Sequence, residues 1–140
     1  RVTDAIIVHH IGNTNADVSA ETVHQWHLAN GWAGIGYHFL IRKDGSIEQG
    51  RPMDTVGAHC YGENEHTVGV NIVGNFEDYM PEDAQVASAK RLLVALCRNY
   101  GFAPSRSTIF GHRDFNATAC PGQNLYDMLP DIIRGAAALY

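Results

Sequence analysis

The chain has 140 residues, of which 45% are hydrophobic and 18% charged, a globular balance that excludes a disordered chain and suits one domain. Its formal net charge is -5 and its ten basic residues are scattered, which leaves no electrostatic footprint for nucleic acid or an anionic membrane surface. No apolar run approaches the roughly 18 residues that a membrane span requires.

In chain order, Asp4 to His9 is an apolar, β-branched run that predicts a central strand covered on both faces and leading into His9-His10. After the polar Gly12 to Asn15 loop, Ser19 is a helix N-cap, with Glu21 in the first turn and Val18 and Val23 placed as a hydrophobic staple. That helix is expected to run to about Asn30, with Gly31 after it, Trp26 as a core anchor, and His24 and His27 at the surface or half-buried. Gly36 to Arg42 and Ile47 to Gly50 read as antiparallel strands around the Asp44-Gly45 turn. Alternation puts Tyr37, Phe39 and Ile41 on one side of the first of these, and His38 and Leu40 on the other. Arg51 to His66 is loop-like and carries His59. Thr67 to Gly74 is a further strand whose single polar residue, Asn71, needs hydrogen bonds inside an apolar run.

Pro81, Glu82 and Asp83 open a helix in which Val86, Ala89, Leu93, Leu96 and Tyr100 keep helical spacing and which Gly101 closes. Arg106 to Gly111 is a last short strand, and Asn124 to Leu139 a final helix that Pro130 is expected to break or kink. Strands alternating with helices, plus one hairpin, imply an α/β fold: a single domain over residues 1–140 with a mixed central β-sheet flanked by α-helices. The three cysteines form no disulfide framework; Cys97 reads as buried and inert, and Cys60 as a reduced loop residue or as half of a bridge to Cys97. No signal peptide is visible, and a chain that begins at Arg1 is expected to be a processed or excised domain.

The richest chemistry lies in Phe110 to Gly122, where His112 and Cys120 share one irregular segment entered from a strand and left through Pro121-Gly122. Joined by a histidine at the end of the first strand, they would make two imidazoles and a thiolate, which leaves one zinc position open as in catalytic rather than structural sites. The same residue types also occur as hydrogen-bonded strand-end histidines and small buried cysteines, and no Cys-x-x-Cys or His-Glu-x-x-His spacing decides between the readings. In this architecture His9, Tyr37 and the His112 to Cys120 loop can converge at one edge of the sheet.

Val8-His9-His10, Gly36-Tyr37-His38-Phe39, Asp44-Gly45, Val56-Gly57-Ala58-His59, Val68-Gly69-Val70, Gly111-His112 and Thr118-Ala119-Cys120-Pro121 occur in this order along nearly the whole chain. In order and spacing the set resembles the phage-lysozyme and peptidoglycan-recognition-protein type of N-acetylmuramoyl-L-alanine amidases. The resemblance implies a Zn2+ cofactor held by His9, His112 and Cys120, with His10 beside the metal or facing substrate. It implies Tyr37 as the catalytic tyrosine, Thr118 as an auxiliary catalytic group where the phage-lysozyme branch has lysine, and His59 as a substrate-binding residue. Trp32 and His38 are further candidates for the cleft. Asn71 stands where another branch places a glutamate base, and that branch has aspartate in place of Cys120, so this chain resembles the tyrosine branch and its general base stays unassigned.

The implied activity is hydrolysis of the amide between the lactyl group of N-acetylmuramic acid and L-alanine in bacterial peptidoglycan, as in an endolysin or autolysin. The alternative is a non-hydrolytic peptidoglycan-binding module, whose members usually replace the ligand cysteine with serine; Cys120 together with Tyr37 favours the enzyme. A metal that only staples the fold fits poorly, because the motif offers no fourth protein ligand. The expected protein is a monomer acting at the bacterial cell wall, secreted or phage-encoded, without membrane insertion or nucleic-acid partner, alone or joined to a wall-binding domain outside this chain.

Overall fold

The apolar run after Asp4 becomes strand β1 (Ala5–His10), every residue of which is buried in a computed structural model that describes all 140 residues. It is followed by α1 (Ala20–Ala29), β2 (Phe39–Ile41), β3 (Ile47–Gln49), β4 (Thr67–Ile72), α2 (Asp83–Tyr100), β5 (Ile109–Gly111) and α3 (Gln123–Leu139). The five strands form one mixed sheet in the order β3-β2-β4-β1-β5. β1 runs parallel to both β4 and β5, β2 runs parallel to β4, and β3 closes the edge as the antiparallel arm of the hairpin. The register sets His9 opposite Asn71, and β5 ends one residue before His112. The site residues therefore gather at the carboxyl ends of parallel strands, where open α/β sheets place their crevices.

Period-two alternation divides the sheet into two unlike faces. Ile6, Val8, Ile41, Val68, Val70, Ile72 and Ile109 pack with Leu93 and Leu96 of α2 and Leu125, Leu129 and Ile132 of α3 in one continuous apolar cluster. α2 is anchored there by a reciprocal cap between Glu82 and Gln85, and ends at Gly101 in the left-handed region (φ 81°), which only glycine adopts freely. Gln85 is fully buried and donates to the carbonyls of Val73 (2.8 Å) and Ile41 (3.3 Å), which ties the helix start to two strand ends. The other face carries Ile7, His9, His38, Leu40, Gly69 and Asn71, with only a five-residue cluster of Val18, Val23, Ile35, Leu40 and Val73 beside α1.

Three expectations change in the structure. Trp26 is 37% exposed rather than a core anchor, because α1 buries only Val23. The helix is held instead by polar contacts: Ser19 Oγ accepts from the Thr22 amide, and the Nδ1 atoms of His24 and His27 accept from the amides of Ile35 and Gly36. α3 continues through Pro130, although the ring has no N–H to offer the carbonyl one turn earlier. Arg106 to Thr108 is a turn rather than strand, tied by Thr108 Oγ1 donating to the Ala103 carbonyl (2.7 Å). Of the two readings of Cys60, the reduced one holds: all three cysteines are free thiols, and no Cys60 to Cys97 bridge exists.

Candidate metal centre

His9 enters the site because it lies at the end of β1 on the polar face of the sheet, 1% exposed. The short helical turn after β5 (His112–Asp114) swings His112 toward it, and their ring centroids lie 4.6 Å apart. Cys120 reaches the pair because its loop is tied back at both ends: the Arg113 amide donates to the Cys120 carbonyl (2.9 Å), and the Gly122 amide donates to Ala119 (2.8 Å). One ligand atom from each of His9, His112 and Cys120 lies within 4.8 Å of the other two, the arrangement that three ligands of one ion require.

The hydrogen bonds identify the free atoms. His112 Nε2 faces Asn116 Oδ1 at 2.8 Å, which leaves Nδ1 for the centre. His9 Nε2 faces His59 Nδ1 at 2.9 Å, and His9 Nδ1 lies 3.6 Å from Cys120 Sγ. Zinc bonds of about 2.0–2.3 Å at tetrahedral angles put ligand atoms roughly 3.3–3.7 Å apart, so the His9 to Cys120 spacing fits one ion between them. Burial lowers the pKa of both His9 and His112, which keeps their imidazoles neutral as metal ligation requires. Burial also pushes the Cys120 thiol up to about 12, opposed by the His10 amide, which donates to its sulfur at 3.4 Å. A buried thiol of that kind becomes a thiolate only beside a cation, and these donors are the soft and borderline types that zinc prefers.

Tyr37 stands beside this centre, its ring 5.0 Å from that of His9. Burial, and then the Cys120 sulfur, raise its pKa above the ordinary tyrosine range, so the phenol keeps a proton to donate. Asn71 is fully buried; its amide lies near enough to the Tyr37 hydroxyl to oppose that rise, yet neither of its polar atoms makes a well-formed hydrogen bond. An orphaned amide next to the three donors marks a place built for a polar group.

The centre opens into a groove with two lobes. One, of about 530 Å³, is bordered by His10, Gly12, Asn75, Glu77 and Thr118; the other, of about 420 Å³, by Trp32, Tyr61, Asn64 and Asn116. Tyr37 and His112 border both lobes.

His9, His112, Cys120, Tyr37 and Thr118 are thus brought together. Thr118 is exposed, and its Oγ1 accepts from the Cys120 amide (3.2 Å), which leaves its own proton for the groove. His10 turns Nδ1 away to accept from the Phe76 amide (3.0 Å). His38 does not line the groove: it is fully buried, with Nδ1 accepting from Gly69 and Nε2 donating to the Thr55 carbonyl (2.7 Å). His59 borders the second lobe with its ring, 8% exposed, while its two nitrogens face protein atoms, His9 and Thr67. Sequence reasoning missed Asn116, the partner of His112; an asparagine inside a loop carried no periodic or spacing signal that would have singled it out.

The chain is similar to known proteins in both sequence and fold. A protein-family profile described as N-acetylmuramoyl-L-alanine amidase matches residues 1–123. The endolysin of Escherichia phage T7 is 37% identical over 129 residues, covering 88% of this chain and 83% of that protein. The peptidoglycan-recognition protein SC2 of Drosophila melanogaster is 35% identical over 130 residues, covering 88% of this chain and 70% of that protein. Among solved structures, the N-acetylmuramoyl-L-alanine amidase LysC from Clostridium intestinale superimposes with a TM-score of 0.84 at 32% identity, covering 94% of this chain and 85% of that one.

Proposed function

Because the chain belongs to the N-acetylmuramoyl-L-alanine amidase family, we propose that it hydrolyses the amide joining N-acetylmuramic acid to L-alanine in bacterial peptidoglycan, with zinc held by His9, His112 and Cys120. The observation that carries this reading is the convergence of three ligand atoms within 4.8 Å on a groove that Tyr37 borders. The two-lobed groove leaves room for chain on both sides of a scissile bond, glycan to one side and stem peptide to the other.

When bound, the ion supplies Lewis acidity toward the scissile carbonyl and toward water. Tyr37 holds its phenolic proton and donates it as a hydrogen bond to the oxygen that gains charge as the carbonyl becomes tetrahedral. Thr118 offers a second, neutral donor from the groove edge, and its contact with the Cys120 amide fixes the loop that carries the thiolate. His9 and His112 stay neutral, so neither repels the cation and each keeps a nitrogen lone pair to offer it. The site of action is the bacterial cell wall.

The test is incubation of the protein with purified peptidoglycan, scoring new alanine amino termini against new reducing ends, with chelator and with zinc restored. Release of alanine termini alone, abolished by chelation and recovered with zinc, is the expected result. Binding to the wall without release would instead make the chain a recognition module, and new reducing ends would mean a glycosidase.

A further inference from the structure

The His59 imidazole is unusually well built in for a loop residue. Two β-sheet and loop glycines clear its volume: a Cβ at Gly69 would come within 2.6 Å of His59 Cγ, and one at Gly57 within 2.7 Å of His59 Cδ2. Asn64 Oδ1 accepts from the amides of both His59 and Cys60 (2.9 and 3.0 Å), which fixes the backbone from which the ring projects. The ring stands edge-on to His9, with centroids 5.0 Å apart and planes at 88°. Its two nitrogens meet His9 Nε2 at 2.9 Å and Thr67 Oγ1 at 3.4 Å, and Thr67 in turn donates to the Glu63 carbonyl at 2.7 Å.

The proton count along this row allows one direction. If His9 gives Nδ1 to a metal, its proton sits on Nε2 and is donated to His59 Nδ1. His59 then carries its own proton on Nε2, pointing at Thr67 Oγ1, whose hydrogen is already committed to Glu63 and whose lone pairs are free. Every donor meets an acceptor, and the row ends on a backbone carbonyl held by the start of β4.

We infer that His59 is a positioning residue of the metal centre: it accepts the Nε2 proton of His9 and so holds His9 in the tautomer and ring orientation that turn Nδ1 toward His112 and Cys120. This deepens the zinc reading above and rests on it. Outer partners of ligating histidines typically set metal affinity by 10- to 100-fold, and are more often carboxylates or carbonyls than a second neutral imidazole. Asn116 serves His112 in the same way with a side-chain carbonyl (2.8 Å), so the two histidine ligands are oriented from two separate loops.

The experiment compares the unaltered protein with His59→Leu, His59→Asn and Thr67→Val, using zinc affinity by competition with a chromophoric chelator and histidine tautomers by long-range 1H–15N spectra of the zinc-loaded protein. Asparagine carries Oδ1 on Cγ where histidine carries Nδ1, so His59→Asn keeps an acceptor for His9 while His59→Leu removes it. Expected are His59 protonated on Nε2 in the unaltered protein, a 10- to 100-fold loss of zinc affinity in His59→Leu, recovery of most of that loss in His59→Asn, and a smaller loss in Thr67→Val. An unaltered protein that holds zinc but shows His59 protonated on Nδ1 overturns the inference, and so does a His59→Leu variant that binds zinc as tightly as its parent. If His59→Leu does not fold, the tautomer of the unaltered protein and the affinities of the other two variants decide. An unaltered protein that holds no zinc overturns the metal reading itself, and with it this inference.

Discussion

The two faces of the sheet are made by the same strands and obey different rules. On the helix-packed face, Ile6 and Val8 of β1 meet Val68, Val70 and Ile72 of β4 beneath α2 and α3, and any side chain of matching size and polarity would serve. On the opposite face the neighbouring positions are Ile7 and His9, then Thr67, Gly69 and Asn71, and here identity matters atom by atom. Gly69 is required as empty space for a histidine ring, and His9 needs a partner on each nitrogen. One face stores stability, and the other spends part of it on buried imidazoles and an orphaned amide.

Cys120→Ser tests that division most severely. Serine is a hard, neutral ligand in place of a thiolate, and the loop keeps its backbone ties. Loss of zinc removes several kcal/mol of transition-state stabilisation, so hydrolysis should fall by roughly 10³-fold or more. The melting temperature of the metal-free protein should stay near its parent's, because Cys120 lies outside the apolar cluster. A variant that retains zinc and activity would remove Cys120 from the ligand set.

Tyr37→Phe is the next step down. Removing one oxyanion donor costs about 10²–10³ in kcat, while zinc affinity should be unchanged because the phenol is not a ligand. Equal losses of metal and activity would instead make Tyr37 a structural neighbour of the centre. Leu93→Ala probes the other face: at 1% exposure it should destabilise the protein by about 2–5 kcal/mol, and leave kcat per folded molecule intact. Urea unfolding and steady-state rates on the same preparation would separate the two quantities.

Acid should expose the contrast without mutation. Burial lowers His10 to about 4 and His59 to about 3, both below the ordinary 6.5 of an unfolded histidine. Between those values the unfolded chain binds more protons than the folded one, so stability falls as pH drops below 6.5, by about 1.4 kcal/mol per pH unit for each proton. On the helix-packed face the titrating group is Cys97, which burial pushes up to about 11, so that face contributes no slope in this range. Urea titrations of metal-free protein from pH 7 to 4 should show the slope, and His59→Asn should make it shallower; an unchanged slope would place the acid sensitivity elsewhere.

How much was legible in the sequence follows the same line. Period-two and period-3.6 patterns write the helix-packed face directly, so β1, β4, α2 and the capping of α2 could be anticipated from Asp4 to His9, Thr67 to Gly74 and Pro81 to Gly101. Trp26 misled because an amphipathic pattern reports which residues share a helix face, not what covers that face; α1 is held by Ser19, His24 and His27 through polar atoms instead. The ligand trio came from motif spacing joined to a family resemblance. The contact of His59 with His9 did not, because a hydrogen bond between residues 50 positions apart leaves no trace in local spacing, and Asn116, only four positions from His112, lies in an irregular loop where no periodic pattern singles it out.

Thr118→Val is the mildest change and the finest test of the groove. Valine keeps the branched shape and removes one hydroxyl, which accepts from the Cys120 amide and can donate toward substrate. The residue is exposed, so water replaces the lost partner of that amide and the penalty for a buried orphan does not arise. What remains is one neutral hydrogen bond, about 0.5–1.5 kcal/mol, or roughly a 3- to 10-fold fall in kcat/KM. Zinc affinity should hold, and Thr118→Ser should restore the rate because it returns the hydroxyl without the methyl. If serine fails where valine also fails, the methyl group rather than the hydroxyl is what the groove uses, and Thr118 would be a packing residue of the ligand loop instead of a donor to the reaction.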